Sequence, residues 1–180
     1  MKRILIVAMF VAACLAPLHS ATLERLSLDD MIVRSTSIVR GRVTSSWADF
    51  TGSVIYTHYK VQVSEQFKGA SQGTVEVMTP GGTAKGVHST FSGSPILNNG
   101  DEFVFFLWTS KGGITWITGL TQGLFALSPA AVDPERTATR AASRELMLDA
   151  ATARPVKDAP LSMRLSELRA RIVAAQGGGK

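Results

Sequence analysis

"GDEFVFFLWT", residues 100–109, is the stretch that decides the fold, because it is the most apolar run after the N-terminal segment. Its length and its aromatic and branched residues favour a β-strand over a buried helix. The side chains of a strand alternate between two faces. One face here carries Phe103, Phe105 and Leu107, and the other carries Val104, Phe106 and Trp108. Since both faces are apolar, we expect the rest of the chain to cover both.

Further segments around this strand alternate in the same way and are bounded by turn residues. They are residues 37–47, 54–67, 74–79, 114–118 and 124–127, with one short strand expected at 87–91. A glycine inside the first segment, Gly41, indicates a bulge of the kind that small barrels need. The pattern predicts five or six curled antiparallel strands that form a small β-barrel.

The C-terminal part of the chain has a helical composition. Residues 136–151 lack Gly and Pro and contain good helix formers. A later apolar stripe at helical spacing consists of Leu161, Leu165, Leu168 and Ile172. We expect the last helix to cover the second face of the 100–109 strand. A short helix is also predicted at 28–34, where Ser27 and Asp30 resemble a capping box.

The N-terminal 21 residues have the layout of a secretory signal peptide. A basic start precedes a charge-free apolar run, and small residues follow it. An alternative is a lipoprotein signal, in which Cys14 becomes the lipidated first residue and anchors the protein to a membrane. We therefore predict an exported protein of the periplasm or extracellular space, with no transmembrane segment in its mature chain. The predicted divisions are 1–21 signal peptide, 22–132 barrel with its short N-terminal helix, and 133–180 helical appendage.

Charge and cysteine content narrow the classes of function. Residues 22–132 contain eight Lys or Arg and eight Asp or Glu, so the predicted barrel is neutral and is not expected to bind nucleic acid. The only cysteine, Cys14, lies in the predicted signal peptide, so the mature chain has no disulfide and depends on a packed core.

The order of short motifs resembles that of netrin-like domains, the OB-fold modules found in tissue inhibitors of metalloproteinases. The motifs are residues 38–43, 59–63, 67–69, 79–82 and 100–107. The resemblance implies an OB-like barrel and, as an alternative function, an accessory or inhibitor of an exported peptidase. The mature chain departs from that family because it has no disulfides and no N-terminal cysteine to chelate zinc. The segment 119–125 also resembles the end of the barrel in exported bacterial proteins of unknown function.

Few residues point to catalysis. His58 and His88 are the only histidines after the signal peptide, and neither belongs to a spaced acidic or cysteine cluster, so no metal or cofactor is predicted. A second alternative function is a hydrolase that uses the His88 loop, with Ser89 as nucleophile and Asp101 behind it. Adjacent residues of an extended segment point to opposite faces, which disfavours this pairing.

Binding is the function that these observations favour. The connection 83–99 is long, polar and rich in glycine, as binding loops are. Its candidate contact residues are His88, Phe91 and Pro95, and a second candidate surface consists of Tyr56 and His58 on the outer face of the long strand. We predict a non-catalytic cell-envelope binding module whose protein or envelope ligand is unknown.

Overall fold

The computed structural model describes residues 22–177, and the predicted signal peptide and Cys14 lie outside the described residues. The chain is mainly β with a C-terminal helix, as predicted. Its strands are β1 Thr22–Arg25, β2 Ser37–Thr51, β3 Val54–Lys68, β4 Thr74–Pro80, β5 Gly82–Ala84, β6 Val87–Ser89, β7 Glu102–Thr109, β8 Thr115–Ile117, β9 Leu124–Leu127, β10 Thr137–Arg140, β11 Leu146–Asp149, β12 Pro155–Val156 and β13 Leu161–Arg164. Its helices are α1 Leu28–Arg34, the 3-10 helix Leu120–Gly123, and α2 Leu165–Gly177.

The largest sheet bends back on itself. Strand β7 pairs with β2, β2 with β3, β3 with β4, β4 with β8, and β8 again with β7. The pairing of β4 with β8 is parallel and consists of the single pair Met78–Trp116, whereas the other four pairings are antiparallel. The second edge of β7 is divided, because β9 pairs with its first half and β8 with its end. Strands β10 and β13 then extend the sheet beyond β9.

Gly41 allows β2 to bend, as predicted. The register of the β2–β3 ladder shifts between Arg40 and Gly41. A Cβ atom at Gly41 would lie 2.5 Å from Val61 Cγ1 and 2.9 Å from the Gln62 carbonyl oxygen, so a larger residue does not fit without movement of the neighbouring strand. The bulge curls the sheet, which lets β7 pair with both β2 and β8.

The 100–109 strand is covered on both faces from Val104 to Leu107, as predicted. The five strands β2, β3, β4, β8 and β7 form a ring of paired strands. Phe105 and Leu107 belong to the core between these strands, together with valines of β2, β3 and β4. Val104 and Phe106 belong to a second core on the other face of the sheet. That second core also contains Met31 and Ile32 of α1, Phe125 of β9, and Leu165, Leu168 and Ile172 of α2. The helices therefore cover the outer face of the N-terminal part of β7.

The helix predicted at 136–151 is wrong, because this segment forms β10, a loop and β11. Ala138 and Arg140 point into the protein and are buried, and Arg140 donates a hydrogen bond to Asp158 at 2.9 Å. Arg136 has a φ of +58°, which breaks any helix at that point. Pairing with β9 and β13 thus outweighs the helix propensity of the segment.

Trp108 departs from the predicted cover. The alternation places it on the same face as Val104 and Phe106, but it is 47% exposed. Phe106 is the last residue of β7 that packs in the core formed with the helices. The residues after it pair with the short strand β8. A large aromatic side chain at this position is therefore left on the outer surface.

Candidate functional site

The three tryptophans of the chain lie in one row across neighbouring strands. Trp47 of β2 pairs with His58 of β3, and His58 pairs with Met78 of β4. Met78 pairs with Trp116 of β8, and Trp116 pairs with Trp108 of β7. Residues that are directly opposite in adjacent strands share a face of the sheet. We call these five residues, with Tyr56 beside them, the tryptophan row.

Strand alternation places the row on the outer face of the strands β2, β3, β4, β8 and β7. The neighbours of its members in sequence, Tyr59, Val77, Leu107 and Ile117, are buried in the core between the strands. The members themselves must therefore point the other way. Trp47 and Trp108 are 46% and 47% exposed, Trp116 is half-buried, and Met78 is buried.

Four aromatic rings of the row meet in two pairs. The His58 imidazole stacks on the Trp47 indole, with ring centroids 5.0 Å apart and an angle of 10° between the planes. His58 Nδ1 also lies 2.8 Å from Glu76 Oε1, which fixes the orientation of the imidazole. Tyr56 meets Trp116 edge to face, with centroids 5.3 Å apart. These contacts restrict the motion of the four rings.

A cleft of about 550 Å³ lies at the Trp108 end of the row. Trp108 and Trp116 form one wall, and Leu23 and Leu26 line the cleft as well. Arg34 and Glu24 also line it and form an ion pair at 2.6 Å. The cleft therefore combines apolar and aromatic surface with a small number of polar groups, which is the composition of many ligand sites.

Gln122 builds part of this cleft from inside the protein. It is buried, its Oε1 accepts a hydrogen bond from the Leu26 backbone N–H at 2.9 Å, and its Nε2 donates to the Glu24 carbonyl oxygen at 3.0 Å. The segment 119–125, noted in the sequence for its resemblance, thus anchors the chain that follows β1. In the structure this motif positions Leu26 and Glu24 beside Trp108.

Charges around the row are balanced. The acidic side chains beside it are Glu24, Asp49 and Glu76, and the basic ones are Arg34, Lys60 and Lys85. Arg34 pairs with Glu24, Lys85 Nζ lies 3.8 Å from Asp49 Oδ1, and Lys60 faces Glu76 across β3 and β4. The surface thus has no excess charge of either sign.

The structure divides the predicted contact residues between two places. Tyr56 and His58 lie in the tryptophan row. His88 is exposed in the β5–β6 hairpin, where its Nδ1 lies 2.9 Å from Thr83 Oγ1. Phe91 is 53% exposed, whereas Pro95 is buried and offers little surface to a partner. None of the loop residues belongs to the row.

The residues of the hydrolase alternative are not assembled into a catalytic group. The ring of His88 bonds to Thr83, and the carboxylate of Asp101 accepts a hydrogen bond from the Asn98 backbone N–H at 2.8 Å. No hydrogen bond joins His88 to Ser89 or Asp101 among the described side chains. Within residues 22–177, no group of three or more His, Cys, Asp or Glu side chains is placed to hold a metal ion.

A separate polar cluster centres on Glu102 of β7. Its carboxylate accepts hydrogen bonds from Arg40 at 2.7 Å, Arg42 at 2.8 Å and Arg136 at 3.2 Å. Burial alone raises the pKa of Glu102, but the hydrogen bonds from Arg40 and Arg136 outweigh burial and hold the pKa below its ordinary value. Arg136 follows β9, so the cluster ties the C-terminal part of the chain to β7.

No family model matches the chain, and no curated protein matches it in sequence. The part of the chain that the structure describes contains no helix that is both long and apolar enough to cross a membrane.

Proposed function

We propose that the protein is an exported, non-catalytic binding module of the cell envelope that holds its ligand on the tryptophan row. One observation carries this proposal: all three tryptophans lie on the outer face of the sheet in one cross-strand row, and the two at its ends, Trp47 and Trp108, are about half exposed. Export rests on the signal-like N-terminus of the sequence.

The exposed indole rings of the row carry an energetic cost. A large apolar side chain gains stability from burial, and Trp47 and Trp108 forgo about half of that gain. Exposed aromatic residues that cluster are a common feature of binding surfaces, where tryptophan contributes more than most residues. The row lies on paired strands, and four of its rings meet in two pairs, Trp47 with His58 and Tyr56 with Trp116, which limits their motion. A ligand would therefore bind without a large ordering cost.

The order of strand pairing supports an OB-like barrel of the netrin-like type as the scaffold. The ring passes through β2, β3, β4, β8 and β7, with one parallel pairing among antiparallel ones. The row starts on β7 at Trp108, whose neighbour Leu107 pairs with Ser37 of β2. After it has crossed β8, β4 and β3, the row reaches β2 at Trp47, ten residues beyond Ser37. Such a stagger is what tilted barrel strands require. The peptidase-inhibitor alternative stays a prediction from the resemblance.

Cosedimentation with isolated cell envelopes tests the proposal. We expect the purified protein to pellet with the envelopes in a saturable way, and the double variant Trp47→Ala/Trp108→Ala to stay in the supernatant. The matched control is Val173→Ala, which removes an exposed apolar side chain of α2 far from the row in the fold. Equal pelleting of the wild type and the double variant would reject the tryptophan row as the binding surface, and so would the absence of pelleting in both.

A further inference from the structure

We infer that the ligand of the tryptophan row is an uncharged glycan chain that lies across the strands with its sugar rings on the indoles. This inference rests on the proposed function and specifies its ligand. Charge balance, the polar groups beside the rings and the shape of the row all support it.

The balanced charge of the side chains around the row argues against a polyanionic ligand. Proteins that bind nucleic acid neutralise phosphates with an excess of Lys and Arg, and single-stranded nucleic acid needs a positive groove as well as aromatic platforms. Acidic polysaccharides make the same demand. Each basic side chain beside the row has an acidic counterpart, as Arg34 has Glu24 and Lys85 has Asp49. A neutral surface of this kind complements a neutral ligand.

The polar groups suit hydroxyl groups. Glu24 and Arg34 at one end, and Glu76 and His58 at the other, place an acceptor and a donor side by side. A sugar hydroxyl both donates and accepts a hydrogen bond, so it can satisfy either partner of such a pair. A proline-rich peptide presents mainly carbonyl acceptors, which can bond to Arg34 and His58 but leave the carboxylates of Glu24 and Glu76 without a donor. A sugar hydroxyl can serve both members of each pair, so the pairs suit a glycan better than such a peptide.

The position of the row also excludes a peptide that adds a strand to the sheet. The row crosses β3 and β4, whose neighbours on both sides are already paired. Strand addition needs free backbone groups at a sheet edge. The row spans five strands, which corresponds to a path of about 19 Å at the usual strand spacing of about 4.8 Å. A path of this length, with flat apolar rings at both ends, suits an extended chain of sugar rings.

Isothermal titration calorimetry with defined ligands tests the inference. The probes are neutral cello-, chito- and manno-oligosaccharides of increasing length, with polygalacturonate, a proline-rich peptide and single-stranded DNA as competing classes. We expect one neutral series to bind more tightly as its length increases, with little dependence on salt. Trp47→Ala and Trp108→Ala should each weaken that binding by roughly five- to tenfold, while Trp47→Phe and Trp108→Phe weaken it less because they keep a ring. Val173→Ala should bind as the wild type does.

The outcomes separate the two proposals. If none of the neutral series binds while envelope cosedimentation still depends on the tryptophans, the glycan inference is wrong and the proposed function stands. Binding of the peptide, the DNA or the acidic polymer through the same tryptophans would also overturn the inference alone. If the tryptophan variants fold, as circular dichroism shows, and affect neither assay, both proposals are wrong.

Discussion

Phe106 and Trp108 lie two residues apart on the same face of β7, yet the structure treats them differently. Phe106 is fully buried and packs against Phe125, with ring centroids 5.4 Å apart. Trp108 is 47% exposed and forms the end of an aromatic row. The difference arises because the helices α1 and α2 pack over the outer face of β7 only as far as Phe106. Within residues 22–177, no element buries the Trp108 ring in the same way. The first residue serves the fold, and the second belongs to the surface that we propose for binding.

The largest expected effect is on stability, at Phe106. We expect Phe106→Ala to lower the free energy of unfolding by about 4 kcal/mol, because it leaves a cavity in a closed core. Trp108→Ala should lower it by about 2 kcal/mol, because only about half of the side chain is removed from water and no closed cavity is left. Urea unfolding followed by circular dichroism measures both. Similar losses at the two positions would show that Trp108 is a core residue and that the contrast is wrong.

The next effect concerns the helix that supplies the cover. Leu168 of α2 is fully buried, whereas Val173, five residues later, is 61% exposed. We expect Leu168→Ala to cost about 3 kcal/mol and Val173→Ala to cost close to nothing. The same unfolding experiment compares them. A negligible cost at Leu168 would mean that α2 does not hold the outer face of β7.

A smaller effect is expected at Glu102, in the polar cluster that joins β7 to the C-terminal part. Glu102→Gln should cost about 2 kcal/mol at pH 7, because Arg40 and Arg136 lose the charge of their partner. The pKa of Glu102 is lower in the folded protein than in the unfolded chain. Its ionised form therefore stabilises the fold above the unfolded pKa, and this contribution disappears as the pH falls through the folded pKa.

The difference in stability between the wild type and Glu102→Gln should thus narrow as the solution becomes acidic. Denaturant unfolding at a series of pH values from neutral to acidic measures it. A difference that stays constant with pH would show that the cost of the substitution comes from packing and not from the carboxylate charge.

The smallest effect is expected at the start of α1. Ser27 accepts a hydrogen bond from the Asp30 backbone N–H at 3.0 Å, and Asp30 in turn accepts one from the Ser27 backbone. We expect Ser27→Ala to lower the free energy of unfolding by about 1 kcal/mol, since it removes one side of this capping box. Thermal unfolding, with Ser71→Ala in an exposed turn as control, detects a loss of this size. An unchanged midpoint would mean that α1 does not depend on its cap.

Much of the fold could be predicted because its signals are local. Alternation predicted β2, β3, β4, β7 and β9, Gly41 predicted the bulge, and the capping box predicted the start of α1. The segment 136–151 could not be predicted, because its strands exist only through pairing with distant partners. Local propensity favours a helix there, and burial of Ala138 and Arg140 decides otherwise.

The candidate site was harder to predict for the same reason. The alternation within β3 predicts that Tyr56 and His58 face outward, and they do. The row itself depends on the register between five strands, and a shift of one residue in any of them would send its member of the row to the other face. The length of the connection 83–99 predicts a binding loop with His88 and Phe91 as contacts. That connection also supplies Leu97 to the core, so its length has a structural reason as well.

An NMR titration tests the central claim most directly, because each of the three indole Nε1–H groups gives its own signal in ¹⁵N-labelled protein. Solubilised cell-envelope material is added while these signals and the backbone amides of residues 82–97 are followed. We predict that all three indole signals shift together and saturate, while the amides of His88 and Phe91 stay in place. Shifts confined to residues 82–97, with unchanged indole signals, would contradict the tryptophan row as the binding surface.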